Sequence, residues 1–132
     1  MVHNVVKSKR YDDVIIGSGP AGLQAVIHAS RRKLSVLVLG RLRHSSAHKA
    51  HIENYCCIDG HQGAELLTQA RAKAEESGAL FLEEDVVDIG KQEDSFLVKT
   101  ESNKEILTKA IIPAMGISRN KLGVKGEKKY LI

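Results

Sequence analysis

The clearest chemistry in this chain sits in Gly17-Ser18-Gly19-Pro20-Ala21-Gly22, three glycines spaced G-x-G-x-x-G. Such a spacing builds a cradle for a diphosphate. The first glycine allows a tight turn, the second lets the backbone approach the phosphates with no Cβ in the way, and the third lets helix pack on strand. If a helix opens at Pro20, its free N–H groups and partial positive charge face the anion. The plain alternative is a glycine turn that packs and binds nothing. The apolar residues just before it and the helical pattern just after it favour the binding turn, since the motif has meaning only between a strand and a helix. The next residue expected is an acid about 20 positions on, to bind ribose hydroxyls. Here Val36-Leu37-Val38-Leu39 runs into Gly40-Arg41 instead. A glycine followed by an arginine suits a 2′-phosphate, so the turn specifies a dinucleotide and the strand end leaves FAD and NADP both open.

Other chemistry-bearing residues have plainer readings. Cys56 and Cys57 are the only two cysteines and are adjacent, so they close no loop and form no disulfide framework. A redox pair is the sharp reading, and free thiols in a loop the plainer one. His44, His48 and His51 recur at spacings of four and three. On a helix they would share a face and could take zinc, but nothing there signals a helix cap and the spacing matches no closed zinc pattern. Solvated or phosphate-facing side chains are expected, and no metal site. Glu83-Glu84-Asp85 is expected to be a charged strand edge rather than an acid–base pair. His28 is an ordinary helix residue.

The elements that must hold these residues follow from period and punctuation. Asp13–Ile16 is an apolar run broken by Gly17, as a buried parallel strand would be. Pro20 starts a helix to about Arg32, with Leu23, Ile27 and Ser30 on one face and Val26 beside it. Lys33-Leu34 turn the chain into a second buried strand, Val36–Leu39. Strand, glycine turn, helix and strand make a βαβ unit. Residues 40–60 have no clear period and read as a functional or mobile loop. Gln62–Ser77 is a helix with Leu66, Leu67 and Ala70 inward, stopped by Gly78. Ala79–Leu82 is a third strand. Val86–Ile89, Phe96–Thr100 and Lys104–Leu107 form a small antiparallel meander. Ala110–Ile112 is a last buried strand ended by Pro113 and Gly116. The fold class is α/β: a Rossmann-like βαβ parallel sheet with a small antiparallel meander, a partial FAD/NAD(P)-binding domain over residues 11–132 behind a loosely held lead-in at residues 1–10.

Composition narrows the function classes. The 132 residues suit one domain. Aromatics are only 4% with no Trp, which argues against stacking on single-stranded nucleic acid. The net charge of +4 fits a mildly basic surface or an attraction to phosphates. The excess concentrates at Arg31–Arg43, beside the proposed phosphate site, and at Lys121–Lys129, which reads as a solvated tail. No apolar run is long enough to span a bilayer, and the N-terminus lacks a signal-peptide core. The expectation is a cytoplasmic protein with neither membrane nor nucleic-acid partner.

Tyr11-Asp12-Asp13-Val14-Ile15-Ile16-Gly17-Ser18-Gly19-Pro20-Ala21-Gly22-Leu23 resembles the N-terminal FAD signature of thioredoxin reductase-like flavoproteins. So do Ile52-Glu53-Asn54-Tyr55, the helix through Glu65-Leu66-Leu67, and Ala114-Met115-Gly116-Ile117-Ser118. Lys121-Leu122-Gly123-Val124-Lys125-Gly126-Glu127 matches the family's exit from the FAD half. Family members use NADPH, through FAD, to reduce a disulfide or a related acceptor, and are commonly homodimers. The resemblance implies that Gly17, Ser18, Gly19, Pro20 and Ala21 hold the FAD diphosphate, with Gly22 completing the turn. It places Gly40 and Arg41 near the adenosine ribose and Asn54 near the flavin. Asp85 and Val86 would pass the adenine by backbone contacts, and Ala114, Met115 and Gly116 would close over the dinucleotide.

The departures set the expected function. Gly40 stands where the family has an acid. Arg43-His44-Ser45-Ser46 replace a Gly-Gly-Gln stretch, Cys56-Cys57 replace Pro-Gly, and Ala114-Met115-Gly116, after an unusual Pro113, replace Ala-Thr-Gly. The sequence has no C-x-x-C and no second glycine turn, so it resembles only the first half of the FAD domain. The expectation is the FAD-binding portion of an NAD(P)H-dependent oxidoreductase, with no catalytic residue of its own. Its partners would be the dinucleotide and either a second copy or the missing C-terminal half. The alternative is a non-catalytic dinucleotide-binding or interaction module, one form of which binds NADP.

Overall fold

The computed structural model describes residues 9–118, 120 and 123–127. Most of the lead-in (residues 1–8), with Lys121, Leu122, Lys128 and Lys129 of the basic stretch near the end, lies outside the described residues.

Strand β1 (Arg10–Ile16) opens the βαβ unit. Helix α1 (Pro20–Arg31) follows it, and β2 (Val36–Leu39) returns alongside it in parallel, with Val14 opposite Leu37 and Ile16 opposite Leu39. Alternation along a strand sends successive side chains to opposite faces. Ile15, Val36 and Val38 therefore meet Val26 and Ala29 of α1 on the helical face. Val14, Ile16, Leu37 and Leu39 cluster on the other face with Tyr11, Val98 and Ile106. The inward stripe of α1 is Gly22, Leu23, Val26 and Ala29, which keeps the expected Leu23 with Val26 beside it and corrects Ile27 and Ser30, both only half-buried. Small residues let the helix lie close to the sheet, and that rotated the buried face toward Ala29.

Residues 40–60 are more ordered than expected. They hold two short 3₁₀ turns, Leu42–His44 and Ser46–Lys49. The Ser45 side chain caps the second by accepting from the Ala47 N–H at 3.3 Å, a cap the sequence reading missed. Strand β3 (His51–Ile52) then pairs antiparallel with β4 (His61–Gln62). Helix α2 (Gly63–Glu76) buries Gly63, Leu67 and Ala74, with Leu66 and Ala70 half-buried. A Cβ on Gly63 would stand 1.6 Å from the Ala47 carbonyl oxygen, so this glycine lets α2 seat on the 3₁₀ turn.

Strand β5 (Leu80–Leu82) pairs in parallel with β2. The meander is β6 (Val86–Gln92), β7 (Ser95–Thr100) and β8 (Glu105–Pro113). Lys104–Leu107 and Ala110–Ile112 are thus parts of one strand rather than two. The polar Thr108-Lys109 between them does not break it, because Thr108 is fully buried and faces both Phe96 of β7 and Tyr11 of β1. The early part of β8 pairs antiparallel with β7 and its later part parallel with β1, giving one six-stranded sheet in the order β5-β2-β1-β8-β7-β6. Ala110 and Ile112 are exposed rather than buried, since β7 pairs with β8 only as far as Thr108. Pro113 sits where that edge is free. The ladder bond to the Ile16 carbonyl comes from the Ala114 N–H at 2.7 Å, so the missing proline donor faces away from β1.

Candidate functional site

The carboxyl ends of β1, β2 and β8 meet at the glycine turn and are tied there by backbone bonds. Gly17 N–H donates to Leu39 O at 2.8 Å, Gly40 N–H to Leu82 O at 3.1 Å, and Ala114 N–H to Ile16 O at 2.7 Å. In an open sheet this end is where ligands bind. The chain turns out of β1 at Gly17 with φ +114°, where a Cβ would lie 2.1 Å from the Ala114 carbonyl oxygen. A Cβ on Gly22 would lie 1.9 Å from the Gly17 carbonyl oxygen, so this glycine packs helix on strand and is not a wall of the cavity. Gly19 faces the cavity, with only the Ser45 side chain near its Cβ direction, at 3.0 Å.

Beyond the turn lies a cavity of about 710 Å³. Gly17, Ser18, Gly19, Pro20 and Ala21 line one wall, Gly40 and Arg41 the end of β2, Asp85 and Val86 the approach to β6, and Ala114, Met115 and Gly116 the far rim. Twelve of the fourteen sequence-predicted residues are therefore brought to one cavity. Gly22 and Asn54 are not among its lining residues, and Asn54 is exposed. Sequence reasoning did not assign Ile16, Leu39, His44, Ser45, Ser46, Glu84, Val87, Asp88, Ile89 and Ile117, which also line it. Ser45 and Ser46 stand in the stretch whose departure from Gly-Gly-Gln was visible. Val87 and Ile89 are apolar at alternate positions of the first meander strand, but their exposure is seen only in the structure.

Two features fit this cavity to an anionic dinucleotide. The first turn of α1 holds no acidic residue and no side chain caps its amides, which leaves the N-terminal field to a ligand. Ser18 is 4% exposed and lines the cavity, and its Oγ has no hydrogen-bond partner among protein atoms. A buried hydroxyl is costly unless it finds a partner, and a ligand oxygen in the cavity would supply one.

Gly40 has φ +139°, and a Cβ there would come within 3.3 Å of the Ser18 amide nitrogen. A side chain would be strained in this conformation, so the glycine suits the backbone found here. The neighbouring Arg41 guanidinium is bound to Asp85 at 2.9 Å and to Glu101. Glu101 holds the Arg41 pKa above its ordinary value. The side chains lining the cavity include three carboxylates, on Glu84, Asp85 and Asp88, against the one guanidinium. Glu83, Glu84 and Asp85 lie in the loop between β5 and β6 rather than on a strand edge. Each is paired: Glu83 with Arg71 at 2.6 Å, Glu84 with Lys104, and Asp85 with Arg41. Lys104 beside Glu84, helped by Ser102 and Thr100, holds that carboxyl down to about 2.

Cys56 and Cys57 are free and exposed. Among the described residues no group of three His, Cys, Asp or Glu side chains is arranged to hold a metal, and no helix is long and apolar enough to cross a membrane.

A family profile described as pyridine nucleotide-disulphide oxidoreductase matches residues 11–132. A thioredoxin reductase of Bacillus subtilis is 34% identical over 125 residues, covering 93% of this chain and 39% of that protein. The crystal structure of Lactococcus lactis thioredoxin reductase aligns with a TM-score of 0.81 at 34% identity, over 91% of this chain and 40% of that one. The thioredoxin reductase from Streptococcus pyogenes gives a TM-score of 0.82 at 33% identity, over 92% and 40%. The chain thus spans about two-fifths of the relatives it matches.

Proposed function

Because the chain belongs to the pyridine nucleotide-disulphide oxidoreductase family and is built like part of a thioredoxin reductase, we propose that it binds FAD, with the cofactor's diphosphate on Gly17–Ala21. The observation that carries this reading is the buried, unpartnered Ser18 Oγ in the wall of a cavity that opens at an uncapped helix N-terminus. Bound FAD supplies a hydride acceptor that passes electrons from a nicotinamide to a disulfide or related acceptor. The chain's own part is to hold and orient. Turn amides and the α1 N-terminus take the diphosphate, Ser18 donates to a ligand oxygen, and Ala114–Gly116 shield the dinucleotide from water. Gly40 and Arg41 lie at the adenosine ribose, and Asp85 and Val86 approach the adenine through their backbone. Asn54, outside the cavity wall, is assigned to the flavin end by resemblance alone.

The FAD reading is favoured over NADP by the state of Arg41. Its guanidinium is already bound by two carboxylates, so that side chain is engaged rather than free for a 2′-phosphate. The nicotinamide cofactor and the reducible disulfide belong to the activity of the longer relatives, and this chain contributes the flavin cradle. The test is titration of the purified protein with FAD, read by flavin fluorescence and thermal melting, with NADPH in parallel. FAD is expected to bind and to raise the melting temperature while NADPH does neither. Protection by NADPH alone would overturn the proposal. Protection by neither would favour the non-catalytic interaction module.

A further inference from the structure

Independently of the dinucleotide reading, we infer that Cys56 and Cys57 form a vicinal dithiol site that captures a trivalent arsenic centre carrying one organic group. Side chains of adjacent residues in extended backbone point to opposite sides. Here Ile58 N–H closes a turn onto Tyr55 O at 3.0 Å, and Cys57 takes φ +66° at its third position. That turn brings the two Sγ atoms to 3.6 Å with both residues exposed. A third-position residue at positive φ favours glycine, and the family pattern has Pro-Gly here. This chain instead holds a thiol in a conformation that a Cβ disfavours, next to a second thiol.

The geometry selects the ligand. With metal–sulfur bonds of about 2.3 Å, a 3.6 Å separation subtends about 100° at a shared centre. That angle suits a pyramidal or tetrahedral centre and not a linear two-coordinate ion. A four-coordinate ion would find only these two ligands, because no third His, Cys, Asp or Glu joins them among the described residues. A monosubstituted arsenic(III) centre is pyramidal and needs two thiolates, since its carbon fills the third place. Capture of an arsine oxide breaks two S–H bonds and forms two As–S bonds. The oxygen leaves as water with both thiol protons, and neither arsenic nor sulfur changes oxidation state.

The test uses the full chain, reduced and desalted, with phenylarsine oxide and intact-mass spectrometry. The chain has only these two cysteines, so the adduct is unambiguous. A single adduct is expected, heavier by one phenylarsine oxide less one water. It should survive excess 2-mercaptoethanol and be released by 2,3-dimercaptopropanol. Cys56→Ser and Cys57→Ser should each weaken retention about a hundredfold, the low end of what a second tethered ligand contributes. Melting temperature and FAD titration should stay unchanged in both, because the two side chains lie in solvent away from the cavity wall. An adduct that monothiol strips from the parent as readily as from the single variants would overturn the inference. So would equal retention in all three proteins.

Discussion

Gly17 and Gly19 stand two residues apart in one turn, yet their substitution has different expected consequences. Gly17 is at φ +114° with a carbonyl oxygen 2.1 Å from where its Cβ would go. Gly17→Ala should therefore break the seam between β1 and β8 and cost about 3 kcal/mol or more, read as a fall in the denaturation midpoint. Gly19 has an ordinary extended backbone, φ −79°, and meets only the end of a serine side chain. Gly19→Val should leave stability within about 1 kcal/mol and remove FAD binding by filling the place of the diphosphate. Undiminished FAD affinity in that variant would sink the site assignment. At Cys57 the sign reverses, since glycine relieves the backbone. Cys57→Gly should stabilise the chain by about 1 kcal/mol in chemical denaturation, and an unchanged midpoint would show that the left-handed turn is not strained. The geometry of the glycine turn was legible because its residue types admit few alternatives. The conformation of Gly40 was not, since a positive φ and a 3.3 Å approach to Ser18 are visible only once β2 lies beside the turn.

At the scale of elements, local pattern and tertiary pairing divide what could be read. β2 was legible at Val36–Leu39 and α1 to within a residue, because an apolar run and a proline start report on neighbours in sequence. The unity of β8 was not legible. Thr108-Lys109 looks like a break until two different strands claim Thr108 from either side. The stitch between the β5–β6 loop and the β7–β8 turn was likewise hidden, since Glu84 and Lys104 are distant in sequence. That stitch gives a pH prediction. The Glu84 carboxyl is held from its ordinary 4.5 down to about 2, chiefly by Lys104. Its contribution to stability is then complete above pH 4.5 and disappears as pH falls toward 2. Glu84→Gln should melt lower than the parent at neutral pH, and the gap should close near pH 2. Asp13 has the opposite sign. Its buried carboxyl is pushed upward by desolvation, and its Oδ1 has no partner. The penalty therefore grows as pH rises above the ordinary 3.8. Asp13→Asn should raise the melting temperature at pH 7, equivalent to about 1 kcal/mol, with little effect below the ordinary carboxylate range. A gap between Asn and Asp that does not depend on pH would assign the effect to packing instead.

Over the whole molecule, the proposal that FAD rather than NADP occupies the cavity rests on charge. The chain carries a net charge of +4, and from the sequence the arginine after Gly40 looked like part of a phosphate-attracting surface. The fold places that arginine among acids from two distant segments, Asp85 and Glu101. The end of the cavity at the glycine turn keeps the positive field of α1, while the lining also carries Glu84, Asp85 and Asp88. A ribose with free hydroxyls suits the end beside Gly40, and a 2′-phosphate would face Asp85 and Glu101 with Arg41 already engaged. Neutralising both carboxylates, as Asp85→Asn with Glu101→Gln, should free the guanidinium. NADPH affinity is then expected to rise about tenfold, roughly 1.4 kcal/mol, a size reasonable for partly exposed charges a few ångströms apart. FAD affinity should change much less, because FAD carries no 2′-phosphate for the freed guanidinium to take. The gain for NADPH should shrink as salt is raised, since exposed charges are screened. If the double variant binds NADPH no better than the parent at low salt, the carboxylates are not what excludes the 2′-phosphate. The discrimination would then lie in the shape of the backbone around Gly40, where a positive φ and the close Ser18 amide set the width of the ribose end.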